Sequence, residues 1–192
     1  MADQNLQGMK VAIITSDNFE QEEMTSPREA LRNAGAVTFL VAPHGGQIQG
    51  FKHDHKGDAF EVELTLDEAA PDDFDAVMLP GGVFNADKLR QVRRAQDFVV
   101  RVDELGKPIA VICHAPWLLV SAGLVSGRTM TSYYTLKDDI RNAGGQWLDR
   151  EGVWDRNWIS SRNPRDLPVF SRLMIELFSS SWQASRQRRQ AA

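Results

Sequence analysis

Of 192 residues only one is a cysteine, Cys113. An intrachain disulfide is excluded, and with it the disulfide framework on which small secreted domains depend. No apolar run approaches the roughly 18 residues that cross a bilayer, and the opening MADQNLQG lacks the apolar stretch of a secretory signal. The expectation is a cytoplasmic protein with a reduced thiol and no membrane partner. A net charge of −4 gives no general electrostatic reason to bind nucleic acid. Histidine is scarce too: His44, His53, His55 and His114 are the whole set, and none follows His114. A papain-like order, with the histidine far downstream of the cysteine, is therefore excluded, as is a glutaminase arrangement that needs a later histidine and acid.

What is present fits one globular domain. With 42% hydrophobic and 25% charged residues, a chain of this length buries roughly 70% of its unfolded surface around a single core. Met9 to Thr15 reads as a continuously apolar strand covered on both faces, which implies a parallel sheet. Glu20, Glu22 and Glu23 then open a helical pattern that stops at Gly35. Val37 to Val41 is a second strand, followed by a polar, Gly-rich segment through Gly57 and a half-buried alternation over Phe60, Val62 and Leu64. Phe74 to Leu79 runs into Pro80-Gly81-Gly82. Ala86 to Leu105 has helical spacing, Pro108 to Cys113 is an apolar strand, and Ala115 to Ala122 a helix. A short strand near Met130, a helix over Thr135 to Ala143, strands over Trp147 to Val153 and Trp158 to Ser161, and a helix over Asp166 to Phe178 complete the domain. The alternation predicts an α/β fold, a doubly wound, mostly parallel sheet sandwiched by helices. The domain should occupy residues 9–180, after a polar lead over 1–8 and before a frayed, basic tail over 181–192.

In open α/β sheets ligands bind outside the carboxyl ends of the strands. Three strands end there in unusual residues: the acidic cluster, the Pro-Gly-Gly turn, and Cys113-His114. A cysteine between a buried strand and a new helix sits at a sharp turn, where the positive helix end favours the thiolate. The base is either His114, which as the adjacent residue on a tight turn need not contact the thiol, or a residue upstream. The acids carry ordinary helix-terminal charge, yet one of them, once buried, would keep its proton and share it with the thiol. His53 and His55, as HxH in a charged turn, are better read as solvated than as metal ligands. No cofactor or metal is expected.

The ordered set LPGG, GKPIAVICHAP, GRTMTSY, KDDIRNAGGQW and SSRNPRDLP resembles the PfpI family of intracellular proteases, general stress proteins and protein deglycases, within the class I glutamine amidotransferase superfamily. The resemblance runs from Met9 to about Phe178. It implies a flavodoxin-like sandwich, a homodimer or higher homo-oligomer, and a nucleophile at Cys113 with His114 beside it. It selects Glu23 as the carboxyl against the thiol and Glu20 as a second acid in the pocket. It matches Asp87 to a carboxylate that orients the histidine of a neighbouring subunit, in a loop that is one residue longer here. Ala115 stands where relatives have glycine, which would narrow the pocket or adjust an oxyanion site. Gly81 and Gly82 line the pocket, and the Gly82 and His114 amides hold an oxyanion. The expected substrates are small carbonyl compounds or modified or unfolded protein. A cysteine peptidase is one alternative; a redox sensor or chaperone that works through Cys113 oxidation is another.

Overall fold

The structure is a computed structural model that describes residues 5–191. In chain order its strands are β1 (Lys10–Ile14), β2 (Phe19–Glu20), β3 (Val37–Ala42), β4 (Gln47–Lys52), β5 (His55–Glu61), β6 (Leu64–Thr65), β7 (Ala76–Leu79), β8 (Ile109–Ile112), β9 (Thr129–Met130), β10 (Gln146–Trp147), β11 (Gly152–Asp155) and β12 (Trp158–Ser161). Its helices are α1 (Gln21–Asn33), α2 (Val83–Leu89), α3 (Arg93–Glu104), α4 (Pro116–Ser121), α5 (Lys137–Asn142) and α6 (Leu167–Ala191). Seven strands form the central sheet in the order β11-β12-β8-β7-β1-β3-β6, parallel except for β11 against β12. This is the expected mostly parallel sheet between helical layers.

Period-two alternation divides the core. Val11 and Ile13 of β1 face a layer built from α1 and α6, where Met24, Leu31, Phe170, Met174 and Phe178 are buried. Ala12 and Ile14 face α3, α4 and α5, against Phe98, Val99, Leu118, Leu119 and Ile140. Both faces are closed to water, so the strands are apolar runs. The chain leaves β1 toward β3 and β6, then returns to place β7 on the other side of β1. The carboxyl ends of β1, β7 and β8 thus meet where the winding reverses, the position at which such sheets bind ligands.

Four expectations change. The Gly-rich stretch is a hairpin: β4 and β5 pair antiparallel, and β2 adds to β4 in parallel. The alternation over Phe60 to Leu64 is divided between that hairpin and β6 of the main sheet. The helix over Ala86 to Leu105 is two, because Val92 is extended and the amides of Gln91 and Val92 reach back only three residues, to Lys88 and Leu89. The freed Arg90 carbonyl accepts from Gln96 Nε2 at 2.6 Å. Finally, the tail expected to fray is the last part of α6, which runs to Ala191. Trp182 lies four residues after Phe178 on the same helix face, and the core cluster takes in both. Apolar spacing decides the helix here; the serine run does not stop it, and Ser180 Oγ donates to the Glu176 carbonyl one turn back.

Candidate active site

Cys113 follows β8 in the left-handed region, φ 64, which lifts its side chain away from the strand. Its backbone is pinned on both sides: its amide donates to the Ser161 carbonyl at 3.1 Å and its carbonyl accepts from the Tyr133 amide at 2.8 Å. The side chain is 6% exposed. It lies at the floor of a cavity of about 720 Å³ lined also by Glu20, Glu22, Glu23, Gly82, His53, His114, Tyr133, Asn163 and Arg165.

Glu23 comes from the first turn of α1 and is wholly buried. Its Oε2 accepts from the Gly81 amide at 3.0 Å, and its Oε1 is buried without a hydrogen-bond partner. Burial pushes its carboxyl up to about 8, against the pull of the neighbouring thiol and the Gly81 amide, so it keeps its proton at neutral pH. Glu20 lies higher in the cavity, its carboxyl raised chiefly by burial and its Oε2 accepting from the His53 amide at 3.1 Å.

The expected thiolate does not follow. Burial first, then the charge on Glu23, push the Cys113 thiol well above its ordinary value, although the Gly82 and His114 amides pull it down. Helix α4 has six residues and begins only at Pro116, too little to offset desolvation. The two amides expected to hold an oxyanion are directed at the sulfur itself. Contact between neighbours on the tight turn is also closer than expected, with His114 Nδ1 3.2 Å from Cys113 Sγ. The His114 ring stacks on Tyr133 at 4.5 Å and tilts against Trp117 at 5.5 Å. Burial lowers it to about 4, so it is neutral at pH 7.

The two glycines have separate reasons. A side chain on Gly81 would overlap Glu23 Oε2 and start 2.6 Å from Cys113 Cβ. Gly82 has φ +92, and a side chain there would come 2.6 Å from the Glu20 amide. Three expected residues are not part of the cavity wall, and buried Gly81, which packs behind it against Glu23, is the first. Ala115 is packed in the core beneath α4 rather than in the cavity wall, so it does not narrow the pocket. Asp87 is exposed on α2 and outside the cavity lining. His53 sits on the hairpin turn above Glu20, and His55 faces Asp54 in solvent.

Sequence reasoning passed over Tyr133, Asn85 and Arg165. Asn85 is buried and supports the Pro-Gly-Gly turn from below. It accepts from the Ser16 amide at 2.7 Å and Thr15 Oγ1 at 3.1 Å, and donates to the Pro80 and Gly81 carbonyls at 3.0 and 2.9 Å. An amide three residues after Gly-Gly was the available signal. Tyr133 carried none, since its proximity arises only in the fold.

An α/β sandwich with a strained cysteine elbow, a buried carboxylic acid and a neutral histidine defines a class of thiol-bearing sites. The chain belongs to the DJ-1/PfpI family, whose model matches residues 9–177. Deglycase PfpI of Pyrococcus furiosus is 40% identical over 169 residues, covering 88% of this chain and 99% of its own. Protein/nucleic acid deglycase 2 of Escherichia coli is 37% identical over 170 residues, covering 88% and 96%. Among solved structures, a two-domain protein of Anabaena variabilis with DJ-1/ThiJ/PfpI-like and ferritin-like domains aligns with a TM-score of 0.83 at 32% identity, over 88% of this chain and 47% of that one. Drosophila melanogaster DJ-1beta aligns with a TM-score of 0.81 at 26% identity, over 97% of this chain and all of its own. Among the described residues no helix is long and apolar enough to cross a membrane.

Proposed function

We propose that the protein is a cysteine-dependent enzyme acting on reactive carbonyls, free or as adducts on protein amines, and releasing them as 2-hydroxy acids. The observation that carries this reading is the buried pair of Cys113 and a Glu23 that holds its proton to about pH 8. A buried thiol kept neutral adds to an aldehyde without creating a charge. The S–C bond forms as the carbonyl electron pair moves to oxygen, Glu23 gives that oxygen its proton, and the thiol proton refills Glu23. For a 2-oxoaldehyde the product is a hemithioacetal. Neutral His114 then takes the C1 proton and returns it at C2 while the C1 hydroxyl proton passes to the C2 oxygen, which converts the hemithioacetal to a thioester of a 2-hydroxy acid. Water cleaves that ester and regenerates the thiol, so the sum is aldehyde plus water to hydroxy acid.

Among the described residues no carboxylate is hydrogen-bonded to the His114 ring, whose contacts are the sulfur, Trp117 and Tyr133. That disfavours a peptidase-like base within one chain. Asp87 enters this reading only through a second copy of the chain that brings its exposed carboxylate over the cavity.

The test supplies purified protein with methylglyoxal, a methylglyoxal-treated peptide and the untreated peptide, beside a Cys113→Ala control. Lactate release from the first two, lost in the control, is the expected result. Lactate release that survives the substitution would sink the thiol mechanism. Cys113-dependent cleavage of the untreated peptide would replace it with a peptidase, and oxidation of Cys113 by peroxide without turnover would replace it with a sensor.

A further inference from the structure

The cavity lining contains a single lysine or arginine, Arg165, and its surroundings set it apart. It belongs to the segment after β12, where three side chains hold the backbone. Asn163 Oδ1 accepts from the Arg165 amide at 3.0 Å, Pro164 precedes it, and buried Asp166 follows it. The nearby Arg162 is fully engaged, donating to Asp166 through Nε at 2.8 Å and NH2 at 3.1 Å and to Asp149 through NH1 at 2.7 Å. Arg165 has no such partner: among the described residues no ion pair or side-chain hydrogen bond engages its guanidinium. A rigid segment with one arginine neutralised and the next left open at the cavity presents a fork suited to a carboxylate. Of the three acids in the lining, the carboxylate of Glu20 is met by the His53 amide, Glu23 is neutral at pH 7, and Glu22 is exposed.

We propose that Arg165 forms an anion subsite of the Cys113 cavity, selecting compounds that carry a carboxylate beyond the reacting dicarbonyl. This rests on the reading of Cys113 as the reacting thiol, and it adds a substrate class: carbonyl compounds bearing an acid group, together with the 2-hydroxy acid product, in preference to uncharged aldehydes of the same size. The cavity is several times the volume of a three-carbon aldehyde, which leaves room for that second group away from the sulfur.

Iodoacetate and iodoacetamide test it, because they differ in charge and little in size. Each forms an S–C bond with loss of iodide, and with Cys113 the sole cysteine the adduct mass reports on one site. The ratio of iodoacetate to iodoacetamide rates should fall about fivefold in Arg165→Ala and recover at least partly in Arg165→Lys. An unchanged ratio overturns the subsite while leaving the thiol reading intact. If Cys113 is inert to both reagents, as a thiol held neutral can be, the subsite is decided by calorimetric titration with lactate: binding weakened about fivefold in Arg165→Ala supports it, and equal binding or none to either protein overturns it.

Discussion

The Gly81 amide donates to Glu23 Oε2 at 3.0 Å, and any side chain on Gly81 would occupy the space between that oxygen and Cys113 Cβ. The acid and the thiol are thus separated by one backbone unit with no room to spare. Gly81→Ala should destabilise the fold by roughly 1–3 kcal/mol through overpacking and abolish turnover, since neither neighbour is the far end of a flexible surface side chain. Chemical denaturation and a carbonyl-consumption assay read the two effects.

Glu23 makes the site sensitive to alkali. Its folded value of about 8 lies above the ordinary 4.5, so the folded state keeps a proton that the unfolded chain gives up. The resulting stability is complete below pH 4.5 and is lost as pH rises to 8, over which range wild type should lose roughly 3–5 kcal/mol. Glu23→Gln should flatten that slope while lowering turnover about 100-fold or more, because the amide has no proton to give to the carbonyl oxygen. Denaturant midpoints at pH 5 and pH 8.5, with rates beside them, decide it.

His114 and His44 should titrate in opposite directions. His114, lowered by burial to about 4, contributes stability that is present above 6.5 and lost as pH falls through 4. His44 is raised, first by the Gly45 carbonyl and then by Asp17, so its contribution is present below 6.5 and lost as pH rises beyond it. In a proton NMR titration the His114 ring should stay neutral at pH 6 while His44 is protonated there, and Asp17→Asn should lower His44 alone. A His114 midpoint near 6.5 would contradict the burial argument.

Asn85 predicts a change remote from the sulfur. Asn85→Ala leaves the Pro80 carbonyl and the Ser16 amide without their partner and the Gly81 carbonyl with only the Glu20 amide, which should cost roughly 2–4 kcal/mol. It should also lower turnover more than Thr15→Ala, which removes only one of the four bonds. Equal effects from both variants would show that Asn85 does not position the turn.

The sheet was legible because its strands are covered on both faces and therefore read as unbroken apolar runs. The β4–β5 hairpin was not, because most of its residues are at least partly exposed and its apolar alternation begins only at Phe60, near its end. The break between α2 and α3 was hidden for a different reason: Leu89 and Val92 keep helical spacing across three residues that leave the helix. Cys113 and the Gly81-Gly82 turn could be found from their places at strand ends. Glu23 was chosen over Glu20 and Glu22 by the family pattern, and only burial separates them physically. The high thiol value was not legible at all, since the desolvation behind it arises only when the folded chain packs around the sulfur.

The left-handed backbone at Cys113 bears on how such a protein changes over generations. A side chain at φ 64 is strained by about 1 kcal/mol relative to glycine, so the backbone conformation by itself favours replacement there, against the packing lost with the buried thiol. A single-base change turns a cysteine codon into a glycine codon. An inert descendant with a relaxed backbone is therefore one mutation away, and persistence of the thiol in a lineage would be consistent with selection for its use.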